Sequence, residues 1–175
     1  MGVNTTAKSG YETVIGFWNT DYTPLDPAGW NSADRLFTVA NGTHPSNRSD
    51  AMVILKNGRT GIGTSTPQTQ LQVNGYTMLG NSAPKIQMKK LTGTTGATQG
   101  SSVLIAHGLN SAKVLSIDVL VDYGGSSFVH HSYTESAGFQ FNFYMNSTHI
   151  IIVNVLGNSG SILSKPFRIL VTYEE

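Results

Sequence analysis

Between Arg35 and Gly75 the chain reads RLFTVANGTHPSNRSDAMVILKNGRTGIGTSTPQTQLQVNG. Three short apolar runs, Phe37 to Ala40, Met52 to Lys56 and Leu71 to Val73, stand in polar surroundings, and each closes at an Asn-Gly step. Asn-Gly suits a two-residue turn with φ > 0, because glycine has no Cβ to clash and asparagine tolerates the left-handed region. The steps at Asn41-Gly42, Asn57-Gly58 and Asn74-Gly75 recur at roughly 16–17 residues, which predicts stacked β units. Each run is too short to bury its own surface, and sequence-local partners are few. The pattern therefore predicts that other copies of the chain complete the dry side, as a homotrimer.

The flanking sequence extends this reading. Tyr11 to Trp18 (YETVIGFW) is the first apolar segment, and NTDYTPLDPAGWNSAD is expected to be an ordered loop pinned by Trp18, Tyr22, Leu25 and Trp30. Ser32 to Leu36 is expected to form one helical turn capped by Ser32. Gln68, Gln70 and Gln72 alternate with Thr69, Leu71 and Val73, a period of two. Lys85 to Leu91 predicts a strand, and LTGTTGATQGSS a flexible or tightly turning connection. The domain boundary is placed near Asn81, giving a stalk over residues 1–80 and a tip domain over 81–175.

The second half reads as antiparallel β structure. Val103 to Ala106 is one strand. Lys113 to Asp122 alternates, with Leu115, Ile117, Val119 and Val121 on one face and Ser116, Asp118 and Asp122 on the other. Phe139, Phe141 and Phe143 share a face. HIIIVNVL, from His149, is apolar on both faces, which places it centrally or at a subunit contact. Phe167 to Thr172 closes the domain as the last strand of a small β-sandwich.

Composition narrows the function classes. Only 12% of residues are charged, against about 25% in ordinary soluble domains, and Gly, Ser, Thr and Asn fill the gap, favouring turns and strands over helices. A net charge of +1 offers no field for nucleic acid. With no cysteine there is no disulfide or thiolate chemistry, and no apolar run is long enough for a membrane span, so membrane insertion is not expected.

The run ADRLFTVANGT…RSDAMVILKNGRTGIGTSTPQTQLQVNG resembles a segment of bacterial and phage trimeric fibre proteins, most specifically from Arg48-Ser49 through Gly63-Thr64. SGYETVIGFWNTDYT is similar to the head repeats of trimeric adhesins, whose segments wind into a β-roll. The resemblance covers roughly Gly10 to Gly75. It implies an all-β fold: an intertwined homotrimeric β-stalk of β-roll or β-prism kind, then an antiparallel β-sandwich head. The second half, through GFQFNFY, HIIIVNV and FRILVTY, more loosely resembles sandwich domains that cap fibres and some lectins. The expected role is the receptor-binding tip of a phage tail fibre or contractile-injection-particle fibre, on the virion or particle surface. The alternatives are a bacterial trimeric surface adhesin and a purely structural trimerisation cap.

Catalysis finds little support. The five histidines are scattered, Asp118, Asp122 and Glu135 are not placed as a pair by any spacing, and Gly58, Gly61 and Gly63 lack the Lys-Ser/Thr tail of a phosphate loop. His130 and His131, adjacent on a strand, are expected to face opposite sides, and no metal or cofactor is assigned. The binding expectation rests on the loop from Tyr123 to Tyr133, which combines Tyr123, Phe128, His130, His131 and Tyr133 with glycines. Aromatic faces stack on sugar rings, so a host cell-surface glycan, or a protein receptor, is the expected partner. Trp18, Tyr22 and Trp30 form the second candidate cluster.

Overall fold

The computed structural model describes residues 2–175. The chain is all-β, 44% strand against 3% helix, and no sheet closes into a barrel. It divides into two compact units, Met1–Gly75 and Tyr76–Glu175. The division falls before the boundary expected after residue 80, because Thr77 pairs with Ile86 and ties this segment to the second unit.

The first unit is one mixed sheet of five strands in sequence order: β1 (Thr13–Phe17), β2 (Arg35–Asn41), β3 (Asp50–Leu55), β4 (Thr60–Ile62) and β5 (Leu71–Val73). The β1–β2 and β4–β5 pairs are parallel, whereas β2–β3 and β3–β4 are antiparallel. The expectation that sequence-local partners are few is thus corrected: each strand pairs with its sequence neighbour. Their burial is another matter. Three aliphatic side chains, Ala40, Val53 and Leu55, are buried, against seven polar or charged ones, so pairing has not produced an apolar core.

Polar groups do the packing instead. Arg35 Nη1 lies 3.3 Å from Asp50 Oδ2, with both side chains at 5% exposure or less. The guanidinium also donates to Thr20 O (3.1 Å) and Thr20 Oγ1 (2.7 Å), while Thr20 N donates to Asp50 Oδ1 (3.0 Å). The loop after β1 is ordered; of its large apolar residues Trp18 and Tyr22 are half-buried, whereas Leu25 and Trp30, 71% and 57% exposed, do not pin it. The buried Asp34 carboxylate holds it, accepting from Leu25 N (2.7 Å) and Asp26 N (2.9 Å). The helical turn expected at Ser32 to Leu36 is not formed. Asn31 accepts from Ala33 N and Asp34 N, making a turn that delivers the chain into β2.

The Asn-Gly steps differ from one another. Only Asn57-Gly58 closes a hairpin, and it does so as a wider turn: Gly58 N donates to Leu55 O, Gly58 takes φ 85°, and Leu55 N bonds Arg59 O. Asn41 ends β2, and Asn74-Gly75 follows β5 with Asn74 N bonded to Ile62 O.

In the second unit β6 (Ile86–Thr94), β7 (Ser102–Ala106), β8 (Val114–Gly124), β9 (Ser127–His130), β10 (Phe141–Met145), β11 (His149–Asn154) and β12 (Pro166–Glu174) form two antiparallel sheets, ordered β6-β12-β8-β9 and β10-β11-β7. Both line one core, with Val119 and Val121, Phe141, Ile150 and Ile152, and Phe167, Ile169 and Val171 at its centre. The run from His149 is central in its sheet, as its two apolar faces require. β6 continues through Thr94, correcting the expected connection after Leu91. A glycine at 93 looks like a breaker, but a Cβ there would lie 2.5 Å from the Phe167 ring, so the strand uses it for close approach. Leu115 is also corrected. A bulge opposite Thr172 and Tyr173 turns it outward, 48% exposed, and Val114 packs on the core instead.

Candidate functional site

The stretch from Tyr123 to Tyr133 is not one loop. Most of it is the β8–β9 hairpin, turned through Gly124, Gly125 and Ser126, all with positive φ. Because side chains alternate along a strand, the five candidate residues divide between two sides. Val129 points into the core, so Phe128 and His130 point out from the four-stranded sheet.

On the inner rim, Tyr123 and Tyr133 both meet Phe139 edge-on, at 4.9 and 6.2 Å between ring centroids. The tyrosines are 36% and 39% exposed, and Tyr133 Oη donates to Ser136 Oγ at 3.2 Å. Phe139 lies just before β10, packs against the core with Phe141 and Phe143, and also joins this rim. His131 follows β9, where the chain turns, and contacts both Phe143 (4.9 Å, edge-on) and His130 (4.0 Å). The expectation that the two imidazoles face apart is corrected, since the strand ends between them. Burial holds His131 below the usual imidazole range, and His130 beside it adds to the effect.

On the outer face, Arg168 of β12 lies over the Phe128 ring at 4.1 Å, and His130 Nε2 is 2.9 Å from Asp118 Oδ1 of β8. His130 Nδ1 shares a 2.9 Å hydrogen bond with Ser132 Oγ. Two adjoining depressions of about 290 and 220 Å³ open here and share Leu120 and Arg168 in their walls. Sequence reasoning named neither Arg168 nor the Asp118–His130 pair. Arg168 does break the apolar run FRILVTY at a strand position, but its partner depends on a register that pattern alone does not fix.

Trp18, Tyr22 and Trp30 are not brought together. Each ring carries its own cation: Arg48 over Trp18 (4.8 Å), Arg35 over Tyr22 (4.2 Å) and Lys56 near Trp30 (5.3 Å). Tyr22 Oη donates to Glu12 Oε2 at 2.9 Å, and burial pushes its phenol up to about 12. Tyr22 also lines a cavity of about 260 Å³ with Arg35, Arg59 and the Ser65 to Gln68 segment, which sequence spacing gave no means of assembling.

No protein-family model, curated protein or solved structure matches the chain.

Proposed function

We propose that the chain forms the end of a homotrimeric fibre and attaches a phage tail fibre, or a related contractile-injection-particle fibre, to a glycan on the host surface. The observation carrying the glycan reading is the rim of Tyr123, Phe139 and Tyr133. Two part-exposed tyrosines meeting one phenylalanine edge-on supply aromatic surface and phenol groups at one rim, with Tyr133 Oη already donating to Ser136 Oγ, the residue types that stack on a sugar and bond its hydroxyls. The trimeric reading is supported by the first unit, whose buried side chains are mostly polar and which leaves Ile62, Leu71 and Val73 of β4 and β5 at 38–60% exposure. Three weak rims on one rigid tip bind a multivalent surface far more tightly than one.

Glycan-array binding of the full chain tests the reading. Tyr123→Ala and Tyr133→Ala are each expected to abolish array binding while the native mass stays at that of the wild type. Unchanged binding by both variants, or no glycan bound by the wild-type chain, would overturn it.

A further inference from the structure

Asparagine followed by glycine carries a chemistry of its own. The glycine nitrogen can attack the asparagine Cγ, because no Cβ on the second residue stands in the way. A bond forms between that nitrogen and Cγ as the bond from Cγ to Nδ2 breaks. The proton of the attacking nitrogen leaves with the amide group as ammonia, and a cyclic succinimide remains. Water opens the ring at either carbonyl, giving aspartate or isoaspartate, so water is the one co-reactant. The fold permits this only where the glycine N–H is free, the asparagine side chain can swing onto it, and the backbone between them can rotate.

The chain's three Asn-Gly steps differ on these counts. At Asn57-Gly58 the attacking group is engaged, since Gly58 N donates to Leu55 O at 2.9 Å. Asn57 N donates to Ser32 O (2.9 Å), and the Asn57 Oδ1 accepts from Arg59 N (3.0 Å), so backbone and side chain are both held. At Asn41-Gly42 packing is the restraint. Gly42 is buried, and even a Cβ there would lie 2.2 Å from Trp18 O and 2.9 Å from Asn47 O. Hydrogen bonds on both sides, Asn41 N to Ser49 O and Thr43 N to Asn47 O, fix the main chain across the step.

Asn74-Gly75 has neither protection. Gly75 N has no hydrogen-bond partner among the described residues, and no atom lies within 4 Å of where a Gly75 Cβ would stand. Asn74 is exposed, and its side chain is held by a single exposed bond, Nδ2 to Gly63 O at 3.2 Å. Its backbone is tied on one side only, through Asn74 N to Ile62 O, and Gly75 is the last residue of the first unit.

We infer that Asn74 is a site of spontaneous covalent modification in the folded chain, converted through a succinimide with Gly75 to aspartate and isoaspartate, while Asn41 and Asn57 are protected. The product replaces the amide that donates to Gly63 O by a carboxylate, which cannot donate. In the isoaspartyl form the main chain also runs through the side-chain carbon, lengthening the backbone where β5 leaves the sheet.

The full chain is incubated at mildly alkaline pH, once folded and once in denaturant, then digested at acidic pH and sequenced by fragmentation mass spectrometry. In denaturant the three steps are expected to convert at similar rates, because each is followed by the same residue. In the folded chain Asn74 is expected to keep a rate within a few-fold of its unfolded one, and Asn41 and Asn57 to slow by a much larger factor. Folded-state conversion of Asn74 as slow as that of the other two, or slower than either, overturns the inference. Asn74→Gln gives a second reading, since the longer side chain must close a larger ring and reacts far more slowly. Enzymatic methylation of isoaspartyl groups in the aged folded chain is expected to fall to near background in this variant. An unchanged methylation signal would place the reactive residue elsewhere.

Discussion

Arg35→Met tests whether the first unit is held by a buried charge. The 3.3 Å separation from Asp50 corresponds to a gross attraction of about 5 kcal/mol at an effective dielectric near 20. That figure is not the net effect, because desolvating both ions opposes it. The loss on removing one partner is set instead by the stranded carboxylate. Asp50, 1% exposed at its side chain, would keep only its bonds from Thr20. Breaking a buried pair in this way costs about 3–5 kcal/mol. A unit of 75 residues has a total stability on the order of 4–11 kcal/mol, so the substitution removes a large share of it. Both tryptophans, Trp18 and Trp30, lie in this unit, so tryptophan emission follows its unfolding without contribution from the second. Denaturant titration at one fixed protein concentration should show the Arg35→Met transition at markedly lower denaturant, with the second unit's far-UV transition in place. The paired change Arg35→Met with Asp50→Leu should recover most of the loss, since an apolar pair of similar volume replaces two desolvated ions. A shift below about 1 kcal/mol in the single variant would refute the reasoning, and so would a double variant worse than the single one.

Two further outcomes follow from backbone geometry and from burial. Gly16→Ala and Gly58→Ala both force alanine to positive φ, at 98° and 85°, a strain of about 1–2 kcal/mol each. At Gly16 the new Cβ would also sit 2.0 Å from Ala40 O, whereas Gly58 faces open space, so tryptophan-detected stability should fall several-fold more for Gly16→Ala; equal losses would contradict the β1–β2 register. His131 should titrate below the ordinary imidazole value of 6.5, because burial and its neighbour His130 both oppose the charged form. The unfolded chain then binds a proton that the fold does not, so the second unit loses stability as pH falls through 6.5 toward the folded value. An imidazole titration by NMR that places His131 at or above 6.5 would exclude this packing.

The strands were legible because their signal is local. Short apolar runs at Phe37 and Met52 marked β2 and β3, alternation at Ile117 and Ile169 marked β8 and β12, and the doubly apolar HIIIV run marked β11 and announced its central position. What alternation does not carry is register. A single bulge turned Leu115 outward, and the placing of Phe128 and His130 on the opposite side from Tyr123 depended on where β9 begins. Gly93 misled for a related reason: a glycine that admits the Phe167 ring looks, in one dimension, like a glycine that ends a strand. The polar packing of the first unit was equally invisible, because Arg35, Asp50 and Thr20 are far apart in sequence and each alone reads as a surface residue.

That polar packing gives the two units different physical characters. The second collects branched aliphatics and phenylalanines from both sheets into one core, so its interior is dry within a single chain. The first pairs all of its strands yet buries Thr38, Arg35 and Asp50 along with Val53, the charged pair bonded and the Thr38 hydroxyl without a partner. Charged groups buried in specific pairs tolerate fewer arrangements than aliphatic ones do, because each misplacement strands a charge. Apolar surface left outside such a unit gains little by rearranging inward, where the space is already committed to ions. Ile62, Leu71 and Val73 therefore stay 38–60% exposed beside a polar interior, and they are the apolar surface that the proposed trimer would cover.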